Sequence, residues 1–213
     1  MNTTPGPYQP LAHDHPRHPF VVLEGVSGIG KSTLTAALAA QLGASSLHTL
    51  PRPHAAWSKT VNSRLRPLPQ FAFYLSGALH ASDRIRECRA IGPVVADRYI
   101  SSVVACHAAV HRVPVETVQG LLAPFHPYLV APDLTFYLRC SHATLRARLA
   151  TKTDLKQDDT DLLTVPDRLA RLVANFDRVA GTDPSAVVLD TDDRSPDDLA
   201  RAIQAHIEEH QAC

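Results

Sequence analysis

The chain has 213 residues, 45% of them apolar and 20% charged, which suits one sizeable α/β core and leaves no room for a second full domain. Lys+Arg and Asp+Glu both number 21. A nucleic-acid groove or an anionic membrane surface leaves a basic excess, so zero net charge favours a small-molecule partner, no nucleic-acid polymer and no membrane, with a local basic pocket still open.

The first residues hold Pro5, Pro7 and Pro10 with His13, His15 and His18, and no apolar signal-peptide core. They read as a flexible tail over 1–18, followed by one domain over 19–213, and the expected location is cytoplasmic. Cys88, Cys106, Cys140 and Cys213 show no CxxC spacing and read as free thiols.

Phe20-Val21-Val22-Leu23 is a β-branched run ended by glycine, the pattern of a buried parallel strand. Leu34, Leu38 and Leu42 mark one face of a helix stopped by Gly43. Ser46 to Leu50 is a candidate second strand. The region 51–68, with Pro51, Pro53 and Pro67, has no clear period. A helix is expected from Gln70 to Ala90, then a strand over 93–97 ending in Asp97, then helices over 101–111 and 115–123.

Leu134 to Leu138 is a further strand, and Ser141 the N-cap of a helix carrying Leu145 and Leu149. Residues 152–163 are polar and read as a mobile loop. A helix over 166–179, a strand over 186–189 and a final helix opened by Ser195-Pro196-Asp197-Asp198 complete the chain. Alternating strands and helices predict about five parallel strands with helices on both faces.

The strongest signal is Gly25-Val26-Ser27-Gly28-Ile29-Gly30-Lys31-Ser32, a full GxxxxGK[ST] between a predicted strand and a predicted helix. Its glycines let backbone N–H groups surround phosphate oxygens, and the helix start adds its positive dipole end. Lys31 is expected on the β- and γ-phosphates and the Ser32 hydroxyl on Mg²⁺. NKxD, which would mark guanine recognition, is absent, so ATP is favoured as the donor. Glu24, Asp97 and Asp133 are acids near strand ends. Asp97 is the candidate to order Mg²⁺ or its waters, or to accept the acceptor's hydroxyl proton, and Arg98 to bind an anionic group of the acceptor. Glu24 divides evenly between chemistry and holding the loop, and Asp133 suits a cap on its strand's entry.

From Phe20 onward the chain resembles the thymidylate kinase family of nucleoside monophosphate kinases. Phe20 to Gly25 running into Gly30-Lys31-Ser32-Thr33 is similar to the family's first strand and P-loop, Asp97-Arg98-Tyr99 to its DRY motif, and Pro132-Asp133-Leu134-Thr135 to its PDLT strand. Ser102 and Ala105 fall at the spacing of the family's S-x-x-A segment. The resemblance implies a P-loop NTPase fold, ATP as donor with Mg²⁺, Thr33 beside the phosphates, Arg98 near the acceptor's phosphate, a lid over about 152–163, and a homodimer through helices. Lys152, Lys156, Arg146 and Arg148 are the lid's available cations, Arg148 being the one assigned to the donor site.

Four departures concern the acceptor. An expected acid is Ser27, the REP segment is Pro51-Arg52-Pro53, an arginine on the thymine side is replaced near Ser76, and a Tyr-Gln pair is Cys106-His107. Phe71, Phe73 and Tyr74 are candidates to stack on a flat acceptor. The implied activity is transfer of the γ-phosphoryl group to a nucleoside monophosphate, including a modified one. A nucleoside or natural-product hydroxyl as acceptor, and a non-catalytic nucleotide-binding regulator, stand as alternatives.

Overall fold

The computed structural model describes residues 9–10, 18–151 and 157–212, with the side chains of 157–159 and 163 excepted. The expected tail lies outside the described residues apart from residues 9, 10 and 18, as do Lys152, Lys156 and Cys213. Five parallel strands form one sheet, β1 (Phe20–Glu24), β2 (Ser45–His48), β3 (Val94–Asp97), β4 (Leu134–Arg139) and β5 (Ala186–Asp190), in the order β2-β3-β1-β4-β5. The doubly wound α/β reading of the sequence is the architecture found.

Central β1 is buried at all five positions, which only a strand covered on both faces allows. Its register pairs Leu23 with Asp97 on one side and Phe136 on the other. One pair of strand exits, Glu24 and Asp97, therefore lies side by side at the sheet's carboxyl edge, where ligands bind in such folds. Helix α1 (Lys31–Leu42) follows the glycine loop and ends at Gly43, whose φ of 59° closes a left-handed cap.

The region without a sequence period contains α2 (His54–Arg64), and α3 (Pro67–Arg89) begins at a proline in its first turn, three residues ahead of the expected start. Only Val61 of α2 is buried, so it carries no apolar stripe to read. Helices α4 (Ile100–His111) and α5 (Val115–Leu122) match expectation, and the 3₁₀ turn Ala123–Tyr128 leads to β4. Then come α6 (His142–Thr151), α7 (Gln157–Thr164), α8 (Arg168–Ala180) and α9 (Pro196–Ala212).

Over residues 157–163, helix α7 corrects the reading of 152–163 as a loop, while 152–156 lie outside the described residues. Its Leu162 is buried, and Asp161 pairs at 2.7 Å with Arg168 at the start of α8. Ser141 caps α6 as read, its Oγ accepting the Thr144 N–H at 3.2 Å. Ser195 and Asp198 cap α9 reciprocally.

Asp133 sits at the wrong end of the sheet for chemistry. Its Oδ2 accepts the Phe20 N–H at 2.6 Å and the Arg89 guanidinium at 2.7 Å, tying β1, β4 and the end of α3 together at the strand entries. Both side chains are largely sheltered. Arg89→Ala leaves the carboxylate without its cation and is expected to cost about 2–3 kcal/mol in urea unfolding, somewhat below the fully buried range. kcat per folded molecule should stay unchanged, which separates this pair from the site.

Candidate active site

Gly25, Gly28 and Gly30 have φ of 139°, 83° and 102°, values that L side chains rarely adopt. Two of them are also crowded. A Cβ on Gly28 would stand 2.5 Å from Leu149 Cδ2 on α6, and one on Gly25 would stand 2.9 Å from the Leu138 carbonyl. The side chains of Val26 and Ile29 are buried, so those residues offer only backbone to a ligand, whereas Ser27 is half-buried and Thr33 exposed. Gly28→Ala should push Leu149 aside at a cost of about 1–3 kcal/mol, seen as a lower Tm together with weaker nucleotide binding.

Lys31 opens α1 and is buried. Its Nζ donates to the Gly25 carbonyl at 3.0 Å and the Val26 carbonyl at 2.7 Å, so the loop's own oxygens hold the ammonium. Burial, then the Arg98 charge, pushes this ammonium down to about 7, against the pull of Asp97 and Glu24.

Ser32 Oγ donates to Asp97 Oδ2 at 2.5 Å, joining the P-loop to the exit of β3. Asp97 Oδ1 is buried and has no hydrogen-bond partner among the described residues. A buried carboxylate oxygen without a donor calls for a cation or an ordered water. Hydroxyl and carboxylate are hard oxygen ligands of the kind Mg²⁺ takes in nucleotide sites, so Ser32 and Asp97 fit that ion.

Glu24 is structural. It is fully buried, and Oε1 accepts the N–H groups of Tyr99 at 2.8 Å and Ser102 at 3.1 Å, while Oε2 accepts the Ser102 hydroxyl. Burial raises its pKa and those hydrogen bonds oppose the rise. The effect is to cap α4 from a neighbouring strand and fix the peptide after Asp97. Tyr99 is locked as well, its OH 2.5 Å from Ser82 Oγ, which also accepts the Val130 N–H.

Arg98 has φ of 71°, a left-handed backbone in a non-glycine residue. Its Nη1 donates to the Gly25 carbonyl at 3.1 Å and Ser102 Oγ at 2.9 Å. One guanidinium thus touches the loop that also holds Lys31. Arg148 lies on the other flank. It donates to the Ile29 carbonyl at 2.8 Å and to Thr191 Oγ1 and O at 2.9 and 2.8 Å, clamping the P-loop to the segment after β5. Arg146 is exposed on α6 and makes no such bond. Lys31, Ser32, Asp97 and Arg98 therefore converge, with Arg148 adjoining.

The helices α2 and α3 beside the β2 and β3 exits carry the acceptor candidates. Phe71 is committed to packing, buried against His107 with ring centroids 5.6 Å apart. His107 is pushed down to about 4 by burial first and by His111 second, which leaves it neutral. Phe73 stands near His54 at 5.7 Å, and Tyr74 donates to Asn62 at 2.9 Å. The hydroxyl of Ser76 lies 3.1 Å from His54 Nε2, while His54 Nδ1 is buried with no hydrogen-bond partner among the described residues.

The sequence reading missed His54. The signal for it was Gly77, where a Cβ would meet Leu50 at 2.4 Å and His54 at 3.7 Å, a close approach that only glycine permits. Gln70 was also missed. It donates to the Val61 and Asn62 carbonyls and meets His111 at 2.7 Å, joining α2, α3 and α4.

The thymidylate kinase family model matches residues 23–203. A curated protein of Natronomonas pharaonis described as a probable thymidylate kinase is 28% identical over 184 residues, spanning 80% of this chain and 93% of its own. The solved structure of thymidylate kinase from Candida albicans superposes with a TM-score of 0.74 at 17% identity, covering 92% of this chain and 93% of that one. With the family's model running through the P-loop, the β3 exit and both flanking helices, the chain belongs to the thymidylate kinase family of ATP-binding phosphotransferases.

Proposed function

We propose that this protein transfers the γ-phosphoryl group of ATP to a nucleoside monophosphate whose base differs from thymine. The observation that carries the reading is the Ser32–Asp97 hydrogen bond with the unpartnered Asp97 Oδ1, beside Lys31 at the start of α1. That is a donor site with its metal-ordering groups in contact. Its preservation argues against a regulator that only binds nucleotide.

In this mechanism the P-loop amides and the N-terminus of α1 hold the donor's phosphates. Lys31 leaves the Gly25 and Val26 carbonyls for the β- and γ-phosphate oxygens. Ser32 and Asp97 would hold Mg²⁺, which would neutralise charge on the donor's phosphates. Arg98, whose Nη2 makes no hydrogen bond among the described residues, orients the acceptor's phosphate. Arg148 fixes the loop so that these groups need not reorganise during transfer. Positioning and charge neutralisation supply most of the rate.

The base preference rests on the acceptor side. Ser76 and the neutral His107 occupy positions where the family resemblance implies an arginine and an amide, His54 meets Ser76, and Phe71 is used in packing. A polar group on the acceptor left without a partner costs about 1–3 kcal/mol. That is a preference of roughly 5- to 150-fold per lost bond at room temperature.

The test is transfer of labelled phosphate from ATP to a panel of nucleoside monophosphates, with thymidine monophosphate as reference. A base other than thymine should give the highest kcat/KM. A maximum for thymidine monophosphate at the rate of an ordinary nucleotide kinase would refute the preference. A hydroxylated acceptor without phosphate would win if the alternative reading held, and Arg98→Ala would then leave its KM unchanged.

A further inference from the structure

Helix α8 carries a cation that nothing so far has used. Among the described residues, Arg86, Arg89, Arg98, Arg148, Arg168 and Arg194 are buried or half-buried, and each has a carboxylate, carbonyl or hydroxyl partner. Arg171 is half-buried as well, and its side chain has no partner among the described residues. Its Nε is shut off from solvent and donates to nothing. Such enclosed donors are rare, because their lost hydration is not made good. The position adds to the cost. Arg171 lies near the start of α8, where the helix dipole disfavours positive charge, and no acid sits in that first turn. Arg168 faces the same field but has Asp161 at 2.7 Å.

The packing of three helices sets Arg171 above the carboxyl edge of the sheet. Helix α3 descends to the strand entries, where Arg89 meets Asp133. Tyr99, just past the β3 exit, meets Ser82 low on α3, and His111 at the far end of α4 meets Gln70 near the start of α3. Helix α4 therefore climbs about 18 Å beyond the edge and forms a wall of the cleft. Helix α8 descends along it. Asn175 donates to the Ala105 carbonyl at 3.2 Å, and burial first, then the Arg168 charge, holds His111 below its ordinary value. Arg171 is three residues from Arg168 and four from Asn175, so it shares their side of α8, between the two. The lid segment reaches the same corner through Asp161 of α7.

Of the lid cations expected from the sequence, Arg146 is exposed and Arg148 is committed to the P-loop and Thr191. A guanidinium kept half-buried without a carboxylate, in the wall of a cleft that receives phosphates, suits an anion that arrives with the substrates. Phosphate oxygens match its planar fork of donors. We propose that Arg171 grips phosphate oxygens of a bound nucleotide and neutralises charge there during transfer. It forms and breaks no covalent bond. The proposal rests on the cleft being a phosphoryl-transfer site, and is independent of the base that the acceptor carries.

The test uses Arg171→Met, which keeps the stem and removes the charge. No partner is lost, so the Tm of the empty protein should stay level or rise. Equilibrium binding of ATP and of ADP then reads the donor's γ-phosphate without any acceptor. If Arg171 grips that group, the variant loses about 10- to 100-fold of the wild-type preference for ATP over ADP. If it grips the acceptor's phosphate, the preference is kept, KM for the best nucleoside monophosphate rises by about the same factor, and free guanidinium restores part of the loss. Arg171→Lys, a charge without the fork, should recover only part of either effect. An unchanged ATP to ADP ratio together with an unchanged KM would overturn the proposal, and a lower Tm beside them would make Arg171 a structural residue. A wild type that binds ATP and phosphorylates no nucleoside monophosphate would refute the proposed function instead. The ATP to ADP ratio alone then decides the role of Arg171, an unchanged ratio overturning it.

Discussion

Lys31→Ala should lower kcat for phosphoryl transfer about 10³-fold and leave the fold intact. Lys31 is the one side chain at the site whose ammonium is buried among backbone carbonyls and free of a direct carboxylate contact. Its charge is therefore costly to keep in the empty protein, and removing it takes nothing from the core. The pH dependence gives a sharper signature. An unfolded lysine titrates at its ordinary value near 10.5, and the folded one at about 7. Between those two values the unfolded chain binds more protons, so the stability of the empty protein should rise with pH across that window.

Nucleotide affinity should move the other way. Below about pH 7 Lys31 is already charged and affinity is flat. Above it the lysine must gain a proton to meet the phosphates, so affinity falls by up to about tenfold per pH unit. Calorimetry in two buffers of different ionisation enthalpy should find proton uptake at pH 8 that Lys31→Ala abolishes. Equal heats in both buffers would mean that Lys31 is already charged in the empty site.

Asp97→Asn should raise the Mg²⁺ concentration needed for half-maximal activity by about 10- to 100-fold, the range for weakening a metal's protein partners. Asparagine keeps an oxygen for Ser32, so the hydrogen bond between the P-loop and β3 survives and the fold should lose little. The buried, unpartnered Oδ1 is what changes in charge. Direct titration with Mn²⁺ in the presence of nucleotide reads the same loss without turnover. Unaltered metal affinity with a slower kcat would instead make Asp97 the acceptor for the hydroxyl proton.

The proposed donor half of the site could be read along the sequence because its elements are contiguous. Gly25 through Ser32 form a contiguous backbone device, and the glycines crowded by Leu138 and Leu149 show why side chains are excluded there. Asp97 was legible through its place at the end of an apolar run. Glu24 was not, since only the fold shows that its carboxylate reaches across to cap α4. Asp133, read in sequence as suited to cap its strand's entry, lies at the strand entries, where it accepts the Phe20 N–H and pairs with Arg89.

The acceptor half was harder for a physical reason. Its helix α2 buries a single residue, so no period announces it, and His54 meets Ser76 across 22 residues of chain. Helix α7 was hidden in the same way: it is short and polar, and the buried Leu162 and the Asp161–Arg168 pair anchor it.

In the proposed function Lys31, Ser32 and Asp97 drive transfer to an acceptor and not to water. Phosphorus NMR of the purified protein with ATP, Mg²⁺ and a panel of nucleoside monophosphates follows both fates of the γ-phosphate together. The expected result is a new diphosphate resonance with one or more acceptors, absent in Lys31→Ala, and little inorganic phosphate. Inorganic phosphate formed at the same rate with and without every acceptor, or ATP left intact throughout, would contradict it.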